Sequence, residues 1–551
     1  MSLGRKWGNV GWLVLLCVVI CGAEVRAENW AAIDVMHYAL KLEVNIDKQS
    51  IVGQVEMRAI FLGPKRELRL NLDSALSLDS VVLRGMRMPT RRSGSQFFVT
   101  LPAGVPRGYL LKLMMHYHGS PKKAAKPPWE GGMVWRKDSL GRPWVGVACQ
   151  QDGASTWWPC HDVDFDEPDS GASVTVVTDA ALTFVGNGLK VSEELVKNGT
   201  EKATTYAVTA PINLYNITMN IGHYLVLDTI YKRKDGSSLK TSYAALDYHA
   251  RPYWAYMQQE AEAMLEVNER LYGQYPWGAD GYKLCETSYW GMEHQSCIAY
   301  GNALKRNAYG FDFIIVHESG HEWWGNKLSI ENKKDMWVHE AFCTYSEVMY
   351  LEARFGKEMA MKYLTQHIRP KIKNEMPMLP KAGMKEGEER KLEKEQVENQ
   401  DTDMYYKGAW MLHGLRMQIG NEKTWLAVLQ ALLTVEKQGQ ANTEGVLKTI
   451  DRVTGKNYSE YMRSYLMRKE APTLLMRRAK DGRLWEMKWK NLTDGFGLPV
   501  ALKNAEGKTV GEMQAGQKWR KIGLKGVRQP LMPDNTLVYF DIESANGNDK
   551  K

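Results

Sequence analysis

The stretch Phe311-Asp312-Phe313-Ile314-Ile315-Val316-His317-Glu318-Ser319-Gly320-His321-Glu322-Trp323-Trp324-Gly325-Asn326 decides the reading of this chain. At its centre, His317 and His321 stand four residues apart. On a helix that spacing puts two side chains on one face about 5–6 Å apart, so both imidazoles can meet one cation at about 2.0–2.1 Å from each nitrogen. Glu318 follows His317 directly and reaches a metal-bound water without ligating the metal, which suits it to act as general base. Phe313, Ile314, Ile315, Val316, Trp323 and Trp324 make the rest of the helix apolar, and histidines embedded in such a segment need a partner. Trp323 and Trp324 themselves read as core. Histidine is scarce, 12 in 551 residues, so the five-residue pattern is uncommon by chance.

A catalytic zinc needs a third protein ligand and one open position for water. Glu340, in Trp337-Val338-His339-Glu340-Ala341-Phe342, supplies the candidate, with eighteen residues between it and His321. A helix end, a tight connection and a return helix over that distance bring a carboxylate back to the two imidazoles. The expected cofactor is one Zn2+ per chain, held by His317, His321 and Glu340.

The pattern H-E-x-x-H, eighteen residues, then Glu within W-x-[N]-E-[GA]-F resembles the gluzincin aminopeptidases typified by aminopeptidase N. Two more segments match that family in the same order: Trp290-Gly291-Met292-Glu293-His294 resembles its G-x-M-E-N signature, and Tyr405-Tyr406-Lys407-Gly408 its Y-x-K-G segment. The resemblance implies hydrolysis of N-terminal residues from peptides by zinc-activated water. It implies that Glu293 binds the free amino group of the substrate, that Gly291 and Met292 present an edge strand to which the peptide adds, and that Tyr405 donates its hydroxyl to the oxyanion. Gln150, in Cys149-Gln150-Gln151, matches a family residue lining the first substrate pocket, with Gln151 as the alternative after a shift of one residue. Segments Trp158 to Asp162 and Asp166-Glu167-Pro168 resemble the family's strand domain. Four positions depart from the pattern: His294 and His339 stand where Asn is common, Trp290 replaces the first Gly, and Gly320 a usual Ala. None removes a ligand, the base or the tyrosine.

Along the chain, Leu40, Leu42, Val44 and Ile46 alternate with polar residues, as do Val55, Met57, Ala59 and Phe61, then Leu68, Leu70 and Leu72. This period of two, continued through Phe97-Phe98-Val99, 173–178 and 215–226, predicts a strand-rich domain. Near Ala250 the period becomes helical, with Met257, Ala261, Met264, Leu265 and Leu271 on one face and Gly273 as a cap. Helices are expected over 311–326 and 335–355, the second capped by Gly356, and further helical periodicity runs over 406–466. After Pro472 alternation returns at Leu484, Met487, Trp489, Val538 and Phe540. The Glu- and Lys-rich stretch 381–400 offers no buried face and reads as a solvated segment. With the resemblance, the fold class is multidomain α+β: a signal peptide at 1–27, an N-terminal β-saddle domain at 28–229, a thermolysin-like mixed α/β catalytic domain at 230–472 and a small C-terminal β-sandwich at 473–551. The chain ends where longer relatives add a helical domain.

Arg5 and Lys6, the apolar run 12–21 and the small-residue site Val25-Arg26-Ala27 have the order of an export signal, too short in its apolar part to span a bilayer. The expected location is periplasmic or extracellular, with no transmembrane segment in the mature chain. Five mature cysteines (Cys149, Cys160, Cys285, Cys297, Cys343) are too few and too odd in number for a disulfide framework, leaving room for one or two bridges. The formal charge of +8 gathers on no basic stripe, so no nucleic-acid partner is expected. The partners are peptides with a free N-terminus; oligomeric state and preferred side chain have no signature here. An endopeptidase on the same zinc core, a catalytically silent peptide-binding homologue, and hydrolysis of a non-peptide substrate such as a lipid epoxide are the rival functions.

Overall fold

A computed structural model describes residues 32–163, 166–379, 401–434, 440–480, 484–493, 497–524 and 531–545. The export signal expected at 1–27 and the charged stretch 381–400 lie outside the described residues. The remainder is an α+β chain in which strands precede, underlie and follow a group of helices.

The alternating segments pair as their burial demands. Ile33–Asn45 and Ser50–Phe61 form an antiparallel hairpin whose inward residues Tyr38, Leu40, Leu42, Val55, Met57 and Ala59 are all buried. The hairpin lies at the middle of an eight-stranded sheet that runs from Leu189–Val196 at one edge to Met86–Arg87 at the other, and Ala172–Asp179 joins it in parallel. A four-stranded sheet (Thr183–Gly186, Met219–Gly222, Pro143–Ala148, Gly132–Lys137) and a three-stranded sheet (Glu67–Asn71, Gln96–Thr100, Thr90–Ser93) complete this unit. Its apolar core extends from Ile33 to Ile221.

The next sheet has five strands in the order Tyr224–Lys232, Ser238–Leu246, Tyr282–Glu286, Ile298–Tyr300, Gly291–Met292. Residue 229, the expected domain boundary, falls inside Tyr224–Lys232, which pairs with Ser238–Leu246 and so belongs to this second sheet. Hydropathy alternation marks a strand without saying which sheet it joins, so the change of unit near 223 leaves no trace in the period. Behind the sheet lies Ala250–Tyr272, buried along Met257, Ala261, Met264 and Leu265 and ended by Gly273 at φ 96°. Leu271 is only partly buried; Tyr272 takes the core position instead.

A single apolar core extends from Leu239 to Phe540, so the last strands share the helices' interior. Those strands form sheets of four (Arg520–Lys521, Trp485–Lys490, Thr473–Arg478, Asp541–Ser544) and three (Thr509–Gln514, Pro499–Lys503, Met532–Asp534). Val538 and Phe540, expected in a strand, lie just before one; Phe540 packs edge-on against Trp489 with ring centroids 5.1 Å apart. Cys149, Cys160, Cys285, Cys297 and Cys343 are all buried free thiols. Among the described residues no helix is long and apolar enough to cross a membrane.

The two main cores meet across a seam that combines small apolar clusters with hydrogen bonds. Lys283 is fully buried there and donates to the carbonyls of Gly186 and Gly188, each at 2.7 Å. Asn187 Nδ2 donates to the Gln295 carbonyl at 2.7 Å, and Asp280 accepts from the backbone N–H groups of Thr209 and Ala210 at 2.8 and 3.1 Å and from the Thr209 hydroxyl at 2.8 Å. Asp280→Ala removes the acceptor of three partly buried hydrogen bonds, so urea unfolding followed by tryptophan emission should show a loss of about 2 kcal/mol. An unchanged midpoint would mean that the seam does not hold the two units together through this carboxylate.

Candidate active site

The helix that carries the histidines is Phe313–Gly320, shorter than the 311–326 expected. Asp312 caps it, accepting from the N–H groups of Ile314 and Ile315 at 3.1 and 3.3 Å, and is itself fixed by the hydroxyls of Tyr300 and Tyr256 at 2.7 and 3.1 Å. After His321 the chain widens into a π-type turn over Glu322–Lys327, with Trp324 and Gly325 out of helical geometry. Gly325 has φ 144°, where a side chain is strained, and a methyl there would lie 3.1 Å from His321 Nδ1. This break turns the Trp324 carbonyl back onto His321 Nδ1, 2.9 Å away. The helix expected over 311–326 runs through this break, because Trp323 and Trp324 suit either geometry.

Each imidazole is therefore fixed by its outer nitrogen. His321 Nδ1 faces the Trp324 carbonyl, and His317 Nδ1 lies 2.7 Å from Glu347 Oε1, whose other oxygen accepts from the Tyr363 hydroxyl. An N–H at Nδ1 leaves the Nε2 lone pairs facing inward as ligands. The return helix Trp337–Phe355 brings Glu340 Oε2 to 3.6 Å from His317 Nε2 and 3.5 Å from His321 Nε2. Ligands about 2.0–2.1 Å from a tetrahedral ion sit about 3.4 Å from one another, so the spacing fits zinc. It is too long for hydrogen bonding, and Glu340 Oε2, though buried, has no hydrogen-bond partner among the described residues. Burial acts to raise the Glu340 pKa, but the two imidazoles outweigh it and hold the carboxyl well below its usual range. Burial likewise opposes charge on His317, and the carboxylates of Glu340 and Glu347 override it. Such a cluster attracts positive charge to its centre, and a divalent cation satisfies all three donors at once.

Glu318 sits beside this point, where its carboxylate, that of Glu293 and a His321 nitrogen all lie within 4.8 Å of one another. Burial pushes its pKa up to about 7, near where a base can both take and return a proton. Gly291 makes room for it: a methyl at that position would come within 2.5 Å of Glu318 Oε1. Gly291–Met292 is the last strand of the five-stranded sheet, paired on one side only, with Ile298–Tyr300. Glu293 follows directly, buried, and its Oε1 accepts from Gln150 Nε2 at 2.5 Å and from the Tyr215 hydroxyl at 3.1 Å. Both donors come from the strand unit. Of the two glutamines left open by the sequence, Gln150 turns toward Glu293, while Gln151 is exposed and its carbonyl accepts from Lys333 Nζ at 3.0 Å.

Tyr405 enters from the helix Asp403–Ile419, its ring stacked 6.3 Å from that of His317. Burial, then the charges of Glu340, Glu293 and Glu318, hold its pKa well above the ordinary value, so its hydroxyl stays a donor. Gly408 sets the approach of this helix: a methyl there would lie 2.6 Å from the Ala341 Cβ, next to Glu340. Lys407, also fully buried, donates to the carbonyls of Arg468 and Lys469 at 3.0 and 2.6 Å and ties the helix to the chain beyond it. His294 and His339 are buried with no hydrogen bond to either ring nitrogen among the described residues. Burial pushes both down to about 3, so both are neutral, and neither stands among the ligand groups.

The structure thus brings together His317, His321, Glu340, Glu318, Glu293, Gly291, Met292, Gln150 and Tyr405. Sequence reasoning missed Tyr215, Tyr363, the Trp324 carbonyl and Glu347. Only Glu347 carried a signal: it lies seven residues, two helical turns, after Glu340 on the same face. Glu347→Ala frees the His317 ring and should weaken zinc binding about 10- to 100-fold, measured by competition with a fluorescent chelator. Unaltered affinity would remove Glu347 from the site.

Residues 256–465 match the peptidase family M1 domain. Leucine aminopeptidase 2 of Eremothecium gossypii is 24% identical over 343 residues, 60% of this chain and 51% of that protein, and leukotriene A-4 hydrolase of Xenopus laevis is 23% identical over 341 residues, 59% of this chain and 52% of that one. The chain spans about half the length of these relatives. Among solved structures, an M1 zinc metallopeptidase of Deinococcus radiodurans bound to a Tyr-Ser-Ala substrate shares the fold with a TM-score of 0.66 at 19% identity, covering 79% of this chain and 94% of its own. Residues 256–465 hold both imidazoles, Glu340, Glu318 and Tyr405, so the whole ligand cluster lies inside the part of the chain that is similar to the peptidase family M1 domain.

Proposed function

We propose that this chain is a zinc aminopeptidase that removes residues one at a time from the N-terminus of peptides. The observation that carries this reading is the buried carboxylate of Glu293, fixed by Gln150 and Tyr215 within 4.8 Å reach of the Glu318 and His321 ligand atoms. A carboxylate in that place pairs with an ammonium, and with the strand unit's side chains closing around it no peptide continues past it. The leucine aminopeptidase name borne by relatives supports the same activity.

Zinc held by His317, His321 and Glu340 supplies Lewis acidity toward the attacking water and the scissile carbonyl. Glu293 fixes the ammonium, and the unpaired edge of Gly291–Met292 offers backbone hydrogen bonds to the residues that follow, setting the first peptide bond beside Glu318. Glu318 takes a proton from the attacking water and delivers it to the leaving amine. The Tyr405 hydroxyl donates to the carbonyl oxygen as negative charge builds on it. Trp324 and Glu347 hold the imidazoles still throughout. The order of charged, apolar and small residues across 5–27 supports action outside the cytosol.

A peptide with a free N-terminus should be shortened stepwise by the zinc-loaded enzyme, its N-acetylated counterpart should resist, and a chelator should abolish both readouts. Cleavage of the acetylated peptide at internal bonds would point instead to an endopeptidase. Glu318→Gln should keep its zinc by atomic absorption and lose turnover on the order of 10³-fold. Tyr405→Phe should lower kcat about 10²-fold with little change in KM, as expected of a contact made chiefly in the transition state. A wild-type kcat in either variant removes that residue from the mechanism.

A further inference from the structure

The exposed large apolar side chains among the described residues include just two tryptophans, Trp129 at 49% and Trp290 at 45% exposure. Far apart in sequence, they touch, with ring centroids 6.3 Å apart. Trp290 lies directly before the edge strand Gly291–Met292, and Trp129 belongs to the strand unit, in the connection before Gly132–Lys137. Trp290 stacks on Phe313 at 5.4 Å and 29°, and Phe313 stacks on the zinc ligand His317 at 5.2 Å and 24°. Its indole N–H also reaches Asn302 Oδ1 at 3.3 Å, which fixes the ring's orientation. An aromatic row therefore leads outward from the ligand cluster and ends in two half-exposed indole rings. Apolar rings of this size left in water are poorly explained by folding alone, since each could bury far more of its surface.

The proposed function gives this row a place along the substrate. The ammonium is held at Glu293, and the residue beside the base is Gly291, two positions earlier in the chain, at the start of the edge strand. A peptide added to that edge runs from Glu293 past Gly291 and on toward Trp290, about 3.3 Å of strand per residue. The first side chain beyond the cut meets the indoles.

We propose that Trp129 and Trp290 form a shelf for an aromatic side chain at the second residue of the peptide, so that the enzyme selects its substrates by the residue after the bond it cuts as well as by the N-terminal one. This assignment rests on the aminopeptidase reading only for the direction of the bound peptide. An offset stack of a substrate ring on such indoles favours aromatic over glycine by about tenfold in affinity.

The test uses zinc-loaded Glu318→Gln protein, which binds without turnover, and the pair Leu-Phe-Gly-Gly and Leu-Gly-Gly-Gly, with affinities read by calorimetry. About tenfold tighter binding of the phenylalanine peptide is expected. Adding Trp129→Ala should bring the two affinities within about twofold, as should Trp290→Gly from the other side, while Trp129→Phe should restore most of the difference. Equal affinities in Glu318→Gln protein, or a difference that survives both tryptophan replacements, overturns the shelf. Hydrolysis of the same pair by the unsubstituted enzyme separates the two ideas. Selective binding without any hydrolysis sinks the aminopeptidase reading and keeps the shelf; equal hydrolysis with equal binding does the reverse; binding of neither peptide sinks both.

Discussion

Two imidazoles and an ionised carboxylate converge at one buried point, and burying a carboxylate without compensation costs far more than any single packing contact returns. The geometry answers that cost with a cation rather than with hydrogen bonds, because the inward atoms stand 3.5–3.6 Å apart and the outward nitrogens are already engaged by Trp324 and Glu347. Much of the surrounding architecture serves this one requirement. The capped start of the histidine helix, the π-type break after His321 and the two-turn spacing of Glu340 and Glu347 each fix one of the groups that face the ion.

Glycine supplies the clearances. Gly291 leaves room for the Glu318 carboxylate beside the edge strand, Gly408 lets the tyrosine helix settle against Ala341, and Gly325 permits the backbone reversal that presents a carbonyl to His321. In the first two the point is space, since any side chain would occupy the volume of a neighbour; in the third it is backbone conformation. The site is shaped as much by missing side chains as by present ones.

How much of this was visible beforehand follows from what each signal encodes. The meeting of His317, His321, Glu340 and Glu318 was legible because helical spacing converts directly into geometry, so three residues between the histidines and eighteen between His321 and Glu340 leave few ways to connect them. Glu293, Gln150 and Tyr405 were legible only through family resemblance, since a lone glutamate, glutamine or tyrosine has no spacing partner to reveal it. The strand-to-strand seam was not legible at all. Nothing in the alternation at Tyr224–Lys232 says which sheet it enters, and the hydroxyl of Tyr215 meets Glu293 through a fold whose contacts are distant in sequence. The helix break at Glu322–Lys327 was hidden for a different reason: its two tryptophans satisfy a straight helix and a widened turn equally well.

The seam between the two cores has a consequence for how the molecule would respond to motion. All three metal-facing side chains hang from one body of helices, whereas the grip on Glu293 is shared, with Gln150 and Tyr215 reaching across from the other body. A small hinge at the seam would loosen the hold on the Glu293 carboxylate while His317, His321 and Glu340 stayed fixed to one another. The hold on Glu293 and the hold on the metal-facing groups thereby belong to different mechanical parts, and a substitution in the strand unit can retune the first without disturbing the second.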